Sequence, residues 1–143
     1  QTSNNLARVA IENGQMVIMC LTRSAVETEK MDLARAIERN FAQIGCKVEL
    51  SGNYPGWTPN PSSAILTKMR DLYVEMFKEQ PHVAACHAGL ECGILGTNYP
   101  EMELISFGPN IRGAHSPDEK CQISSVQKSW EFFLRTLENI PTV

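Results

Sequence analysis

Residues 104–119 read Leu104-Ile105-Ser106-Phe107-Gly108-Pro109-Asn110-Ile111-Arg112-Gly113-Ala114-His115-Ser116-Pro117-Asp118-Glu119, and this stretch decides how the rest of the chain is read. The apolar run 104–107 is patterned as a strand and stops at Gly108-Pro109. A loop through Gly113 then presents a lone histidine, His115. Behind it, Ser116-Pro117-Asp118-Glu119 has the order of a helix start: a hydroxyl to cap, proline at the first helical position, and glutamate three residues after the serine to complete a capping box. The spacing predicts a strand that hands a side chain to a pocket from a backbone fixed on both sides. Neutral imidazole is the commonest metal ligand, and a zinc site needs about three or four protein ligands, of which this stretch offers one. On spacing alone, a histidine flanked by Gly and Ser is more often solvated or structural.

Working outward, apolar residues from Ile65 through Met69, Leu72, Val74, Met76 and Phe77 predict an amphipathic helix over 63–80, begun by Ser63 and ended near Pro81. Residues 83–86 read as a short buried strand. His87-Ala88-Gly89-Leu90-Glu91-Cys92-Gly93 follows as a strand-to-helix turn whose glycine leaves room for a ligand to approach backbone N–H groups. A strand at 102–107 and a helix from Ser124, with Val126, Trp130, Phe133, Leu134 and Leu137 on one face, complete an alternation of helices and strands, the pattern of an α/β sheet covered by helices.

The first third has another grammar. Residues 6–12 and 15–23 are strand-like runs separated by Asn13-Gly14, the pair best suited to a type I′ turn. Both faces of 16–21 are apolar, which calls for cover on each side, a helix on one and a second subunit or domain on the other. Ala34, Ile37, Phe41 and Ile44 predict an amphipathic helix over 27–44 ended by Gly45, and Cys46, Val48 and Leu50 alternate with polar residues as a third strand. Strand, strand, helix, strand is an α+β arrangement, part of a ferredoxin-like unit. Residues 52–61 hold three prolines and two glycines and mark a boundary, which predicts domains at 1–52 and 53–143. Trp57 within it reads as a core plug or a pocket wall.

Composition sets limits. The chain has 143 residues, 43% hydrophobic, with a net charge of −3 and no basic cluster able to neutralise phosphates, so nucleic acid is not an expected partner. No run approaches the ~18 apolar residues of a membrane helix, and the start shows no signal-peptide pattern. A cytoplasmic location fits. The five cysteines, Cys20, Cys46, Cys86, Cys92 and Cys121, are odd in number and form no C-x-x-C pair, which predicts buried reduced thiols. The chain opens on Gln1 in the approach to a strand and reads as a fragment.

The motifs SFGPNIRGAHSPDEK (106–120) and HAGLECG (87–93) closely resemble the C-terminal part of the aminoacyl-histidine dipeptidase family, two-zinc metallopeptidases related to carboxypeptidases and aminoacylases. The resemblance covers essentially the whole chain, which looks like somewhat under a third of such an enzyme. It implies a partial lid or dimerisation domain at 1–52 and the closing α/β part of the zinc-peptidase catalytic domain at 53–143. It implies that His115 binds one of two zinc ions. Arg23, at a strand end, would grip the free carboxylate of a dipeptide; a strand-end arginine is otherwise a solvated charge. Glu91 would face the substrate ammonium, against the simpler reading of helix-dipole stabilisation, and Gly89 would let the substrate approach. His87 is either pocket-facing or a buried structural residue. The family's H-x-D motif, Glu-Glu pair and further acid do not occur here, so no catalytic base is expected in this chain and the fragment alone is expected to be inactive. The parent is expected to be a homodimer, through the lid, that hydrolyses unblocked Xaa-His dipeptides. The alternatives are another peptidase or aminoacylase of the superfamily, and a non-catalytic dimerisation or ligand-binding module.

Overall fold

Asn13 and Gly14 adopt φ of 52° and 75°, the left-handed pair a two-residue hairpin turn requires, and on either side of them β1 (Thr2–Glu12) and β2 (Gln15–Ser24) pair antiparallel from Glu12↔Gln15 to Thr2↔Ser24. The structure is a computed structural model and describes residues 2–86 and 90–140. The register shifts between Leu6 and Arg8, leaving Ala7 as a bulge.

The helix α1 (Glu27–Gln43) packs on both strands. It ends as the sequence predicts: Gly45, at φ 80°, donates to Ala42, and Cys46 donates to Phe41, a Schellman closure that only a left-handed residue permits. Beyond it the third strand predicted at 46–51 does not form. A strand exists only as one side of a ladder, and among the described residues no neighbour pairs with this segment.

α2 (Ala64–Phe77) starts at Ser63, whose Oγ accepts from Leu66 N at 3.4 Å, and stops at Lys78 in the left-handed region rather than near Pro81. Glu103 reinforces the start: its two carboxylate oxygens accept from Ala64 N at 3.0 Å and Ile65 N at 2.9 Å. α3 (Glu91–Asn98) begins at the predicted glutamate, and α4 (Ile123–Glu138) at the predicted final helix. The strands predicted at 83–86 and 102–107 are not hydrogen-bonded strands, and 83–86 is exposed rather than buried, because nothing among the described residues covers it. Two unpredicted two-residue strands appear instead, β3 (Ile111–Arg112) and β4 (Lys120–Cys121), paired antiparallel around His115.

Mixed α and β structure is thus present, in two compact units: residues 1–60 with 84–102, and residues 61–83 with 103–143. The second unit is built on Met69, Leu72 and Phe132, with Ile65, Tyr73, Met76, Phe77 and Ile105 around them. Tyr73 and Phe107 each meet Phe132 edge-on at 5.4 Å, geometry that favours the ring quadrupoles. Ile105 therefore packs on this core, and Phe107, still 44% exposed, meets Phe132 at its edge, both without the ladder of the expected strand. Lys128 of α4 pairs with Glu79 and Tyr73 and lies over the rings of Tyr73 and Phe77, which raises its pKa, chiefly through Glu79, and lowers that of Glu79.

Among the described residues of the first unit the buried ones are Ser24, Ala25 and Lys30, at the joint between β2 and α1, and Gly93 in α3. The far end of the hairpin stays open, with Ile11 68% and Met16 61% exposed. Of the cysteines, Cys20, Cys46, Cys86 and Cys121 are exposed and Cys92 is half-buried; none is in a disulfide. The expectation of buried thiols is corrected: apolar patterning put them on faces that no other described element covers.

Candidate functional site

His115 stands in the loop between β3 and β4, at φ 64°. A non-glycine residue in the left-handed region is uncommon, though histidine tolerates it better than most. The loop is held by its own polar groups. The backbone N–H of His115 donates to Glu119 Oε2 at 2.8 Å, Ser116 donates through both N–H and Oγ to the carbonyl of Gly113, and Glu119 N–H donates to Ser116 O at 3.1 Å. This corrects the predicted helix start. The Ser116 hydroxyl donates to Gly113, no helix follows it for its oxygen to cap, and Glu119 reaches back to His115 rather than to Ser116, so the chain turns into β4. The result still fixes the backbone on both sides of His115. Its imidazole is exposed and has no hydrogen-bond partner among the described residues.

The chain contributes this imidazole as a single donor. Among the described residues no group of three or more His, Cys, Asp or Glu side chains converges. A shell of about three or four ligands is therefore not assembled from these residues, although an exposed imidazole on a pinned loop fits the part of one member of such a shell.

Arg23 and Glu91 lie in the first unit. Arg23 is the penultimate residue of β2, half-buried and paired across the hairpin with Ser3; no carboxylate engages its guanidinium among the described residues. Ser24 beside it is buried, with Oγ 2.8 Å from Thr2 Oγ1 and accepting from Val26 N at 3.1 Å, so the strand end carrying Arg23 is fixed. Glu91 opens α3, exposed, where its charge favours the helix N-terminus. The pKa of the next residue's thiol, Cys92, is pushed up, first by burial and then by the Glu91 charge. Gly89 and His87 lie outside the described residues. Trp57 is half-buried.

A depression of about 350 Å³ in the second unit is lined by Leu66, Arg70, His82, Ser106, Lys128 and Phe132 among others. No sequence-predicted site residue lines it. Its cations are already engaged, Lys128 by Glu79 and Arg70 by Asp71 at 3.3 Å, so it offers no free charge to a ligand. What sequence reasoning missed is a polar cluster around Lys30 and Glu27. The i, i+3 spacing reads as an ordinary solvated helix pair, and only packing reveals that the lysine is buried.

The model of peptidase family M20/M25/M40 matches residues 4–139. Over 141 residues the chain is 37% identical to the cytosol non-specific dipeptidase of Escherichia coli (strain K12), a match that covers 99% of this chain and 29% of that protein. A crystal structure of aminoacylhistidine dipeptidase from Vibrio alginolyticus superposes with a TM-score of 0.82 at 36% identity, covering all of this chain and 29% of that one. The chain thus spans about 29% of the length of both relatives.

Proposed function

Because the chain belongs to peptidase family M20/M25/M40, we propose that it is the C-terminal part of a zinc-dependent dipeptidase that hydrolyses dipeptides with free termini, Xaa-His among them. Residues 1–52 then form part of a lid and 53–143 part of the catalytic domain. The observation that carries the reading is the His115 loop, an exposed imidazole, unengaged among the described residues, on a backbone pinned by Glu119 at 2.8 Å. His115 acts as one zinc ligand; the metal, when bound, supplies an activated water and polarisation of the scissile carbonyl. Arg23 receives the substrate carboxylate through its planar fork, and Glu91, with the backbone around Gly89, receives the ammonium end. The general base and the other ligands come from outside this chain. The protein acts in the cytoplasm, in keeping with the cytosolic relative.

The test is metal analysis and peptide hydrolysis on the full-length protein. About two zinc ions per chain and turnover of free dipeptides are expected; a metal-free protein without peptidase activity would leave only the non-catalytic module. The isolated 143-residue chain is expected to give no turnover above a metal-only control.

The protein also self-associates through the lid. Leu6, Val9, Ile11, Met16 and Ile18 share one face of the hairpin and are 36% to 68% exposed, and an open apolar strand face favours a second copy. Sedimentation of the full-length protein at micromolar concentration should show a dimer; a strict monomer would refute this.

A further inference from the structure

Among the described residues Lys30 is the buried cation, its side chain 6% exposed. Its ammonium is 2.7 Å from Glu27 Oε2, donates to the carbonyl of Tyr54, and lies 5.5 Å from the centre of the Tyr54 ring. The same Glu27 oxygen accepts from Gly56 N at 2.9 Å. Burial raises the Glu27 pKa, but the Lys30, Gly56 and Asn53 hydrogen bonds outweigh it and leave the carboxyl below its ordinary value. One ion pair thus holds residues 54–56 at a carbonyl and at an N–H.

That short segment is touched from two directions. On one side a Cβ at Gly56 would fall 2.7 Å from the carbonyl oxygen of Ala25, and Thr58 Oγ1 donates to the same oxygen at 3.3 Å. Ala25 is two residues from Arg23. On the other side a Cβ at Gly93 would fall 2.7 Å from the carbonyl oxygen of Pro55, and Gly93 is two residues from Glu91. Backbone in direct contact therefore runs from the strand end bearing Arg23, through 54–56, to the helix start bearing Glu91. Lys30 and Glu27 clamp its middle.

We propose that Lys30, with Glu27, is a positioning residue that fixes the spacing between Arg23 and Glu91 and so makes this unit a ruler for a zwitterionic peptide of two residues. The proposal rests on the reading of Arg23 and Glu91 as partners of the substrate carboxylate and ammonium. One extra residue lengthens an extended peptide by roughly 3.3–3.6 Å, whereas a good hydrogen bond tolerates only a few tenths of an ångström. A rigid spacing rejects a tripeptide, and a loosened one accepts it.

The experiment uses the full-length protein and three probes of matched composition: a free dipeptide, its C-terminal amide and a free tripeptide. Lys30→Met keeps the aliphatic stem and removes the charge; Glu27→Gln keeps an acceptor for Gly56 N–H and carries the test should the first variant not fold; Lys30→Arg restores the charge. Misplacing a binding group by about 1 Å costs up to ~10²-fold, so Lys30→Met and Glu27→Gln should raise the dipeptide KM about tenfold, leave kcat within about threefold, and shift kcat/KM toward the tripeptide by about tenfold. Lys30→Arg should stay near wild type. Unchanged dipeptide KM and length selectivity in Lys30→Met and Glu27→Gln, whatever their melting temperatures, would overturn the proposal. Arg23→Ala and Glu91→Gln tell the two failures apart: if they weaken binding while the clamp variants do not, only the ruler is wrong, and if they too change nothing, the reading beneath it falls as well.

Discussion

Replacing His115 with alanine, and separately with glycine, in the full-length protein distinguishes a side chain offered to a metal from one that supports the fold. The imidazole is exposed and makes no hydrogen bond among the described residues, while the bonds that shape the loop run from the backbone of His115, from Ser116 and from Glu119. Every one of them survives either substitution. His115→Ala should therefore change the unfolding free energy by no more than about 0.5 kcal/mol. In His115→Gly, relief of the left-handed conformation at φ 64° is worth about 1 kcal/mol, against about 0.5–1 kcal/mol of extra freedom given to the unfolded chain, so the net is again near zero. Both variants should melt within about 1–2 °C of wild type. The comparison is made in chelator, since bound metal would add its own stabilisation to the wild type. Zinc content and dipeptide turnover, measured on the same preparations without chelator, should fall sharply in both. Full zinc occupancy together with a large loss of melting temperature in His115→Ala would refute the ligand assignment.

Arg23→Ala should raise KM for free dipeptides by the ~1.5–3 kcal/mol of a charge-assisted pair, roughly 10- to 150-fold, and leave amidated dipeptides unaffected; equal discrimination in wild type and variant would return Arg23 to the role of a surface charge. The Glu103 carboxyl is held below its ordinary value, chiefly by the N–H of Ile65 and then that of Ala64. Because its folded pKa lies below an unfolded value of about 4.3, its contribution is present above that pH and lost as the pH falls through the folded pKa. Between neutral pH and that window, melting temperature should hold and then decline, and Glu103→Gln should show a shallower acid decline; an unaltered slope would mean that the cap contributes nothing. Phe132→Ala, which removes the ring that Tyr73 and Phe107 each meet at 5.4 Å, should lower stability in chemical denaturation by about 3–5 kcal/mol, and a loss under 1 kcal/mol would show that this cluster is not a packed core.

Wherever structure follows from contacts a few residues apart, it is legible in the chain. Asn13-Gly14 specifies its turn because only residues at ease with positive φ can make it. Gly45 ends α1 for the same reason, and Ser63 starts α2 with an oxygen three residues from the N–H it accepts. That His115 stands in a loop and Glu91 at a helix start was legible as local pattern, whereas the roles proposed for them come from the family resemblance. Their setting was less accessible. The sequence Ser116-Pro117-Asp118-Glu119 suits a helix start, yet β3 pairing with β4 outweighs it, because two strands eight residues apart satisfy backbone groups that the cap would have left open.

What depends on partners distant in sequence was decided by tertiary structure alone. Alternation at 46–51 and apolar runs at 83–86 and 102–107 state which face is apolar, but a strand needs a neighbour, and no described residue supplies one. Lys30 is the clearest case. In sequence it is one cation of an ordinary i, i+3 helix pair; in the fold, loop 54–56 closes over it from 24 residues away, and the loss of hydration is offset by a carboxylate, a carbonyl and a ring. Local propensity is written in neighbouring residues, whereas the burial of a charge depends on which distant backbone comes to rest against it.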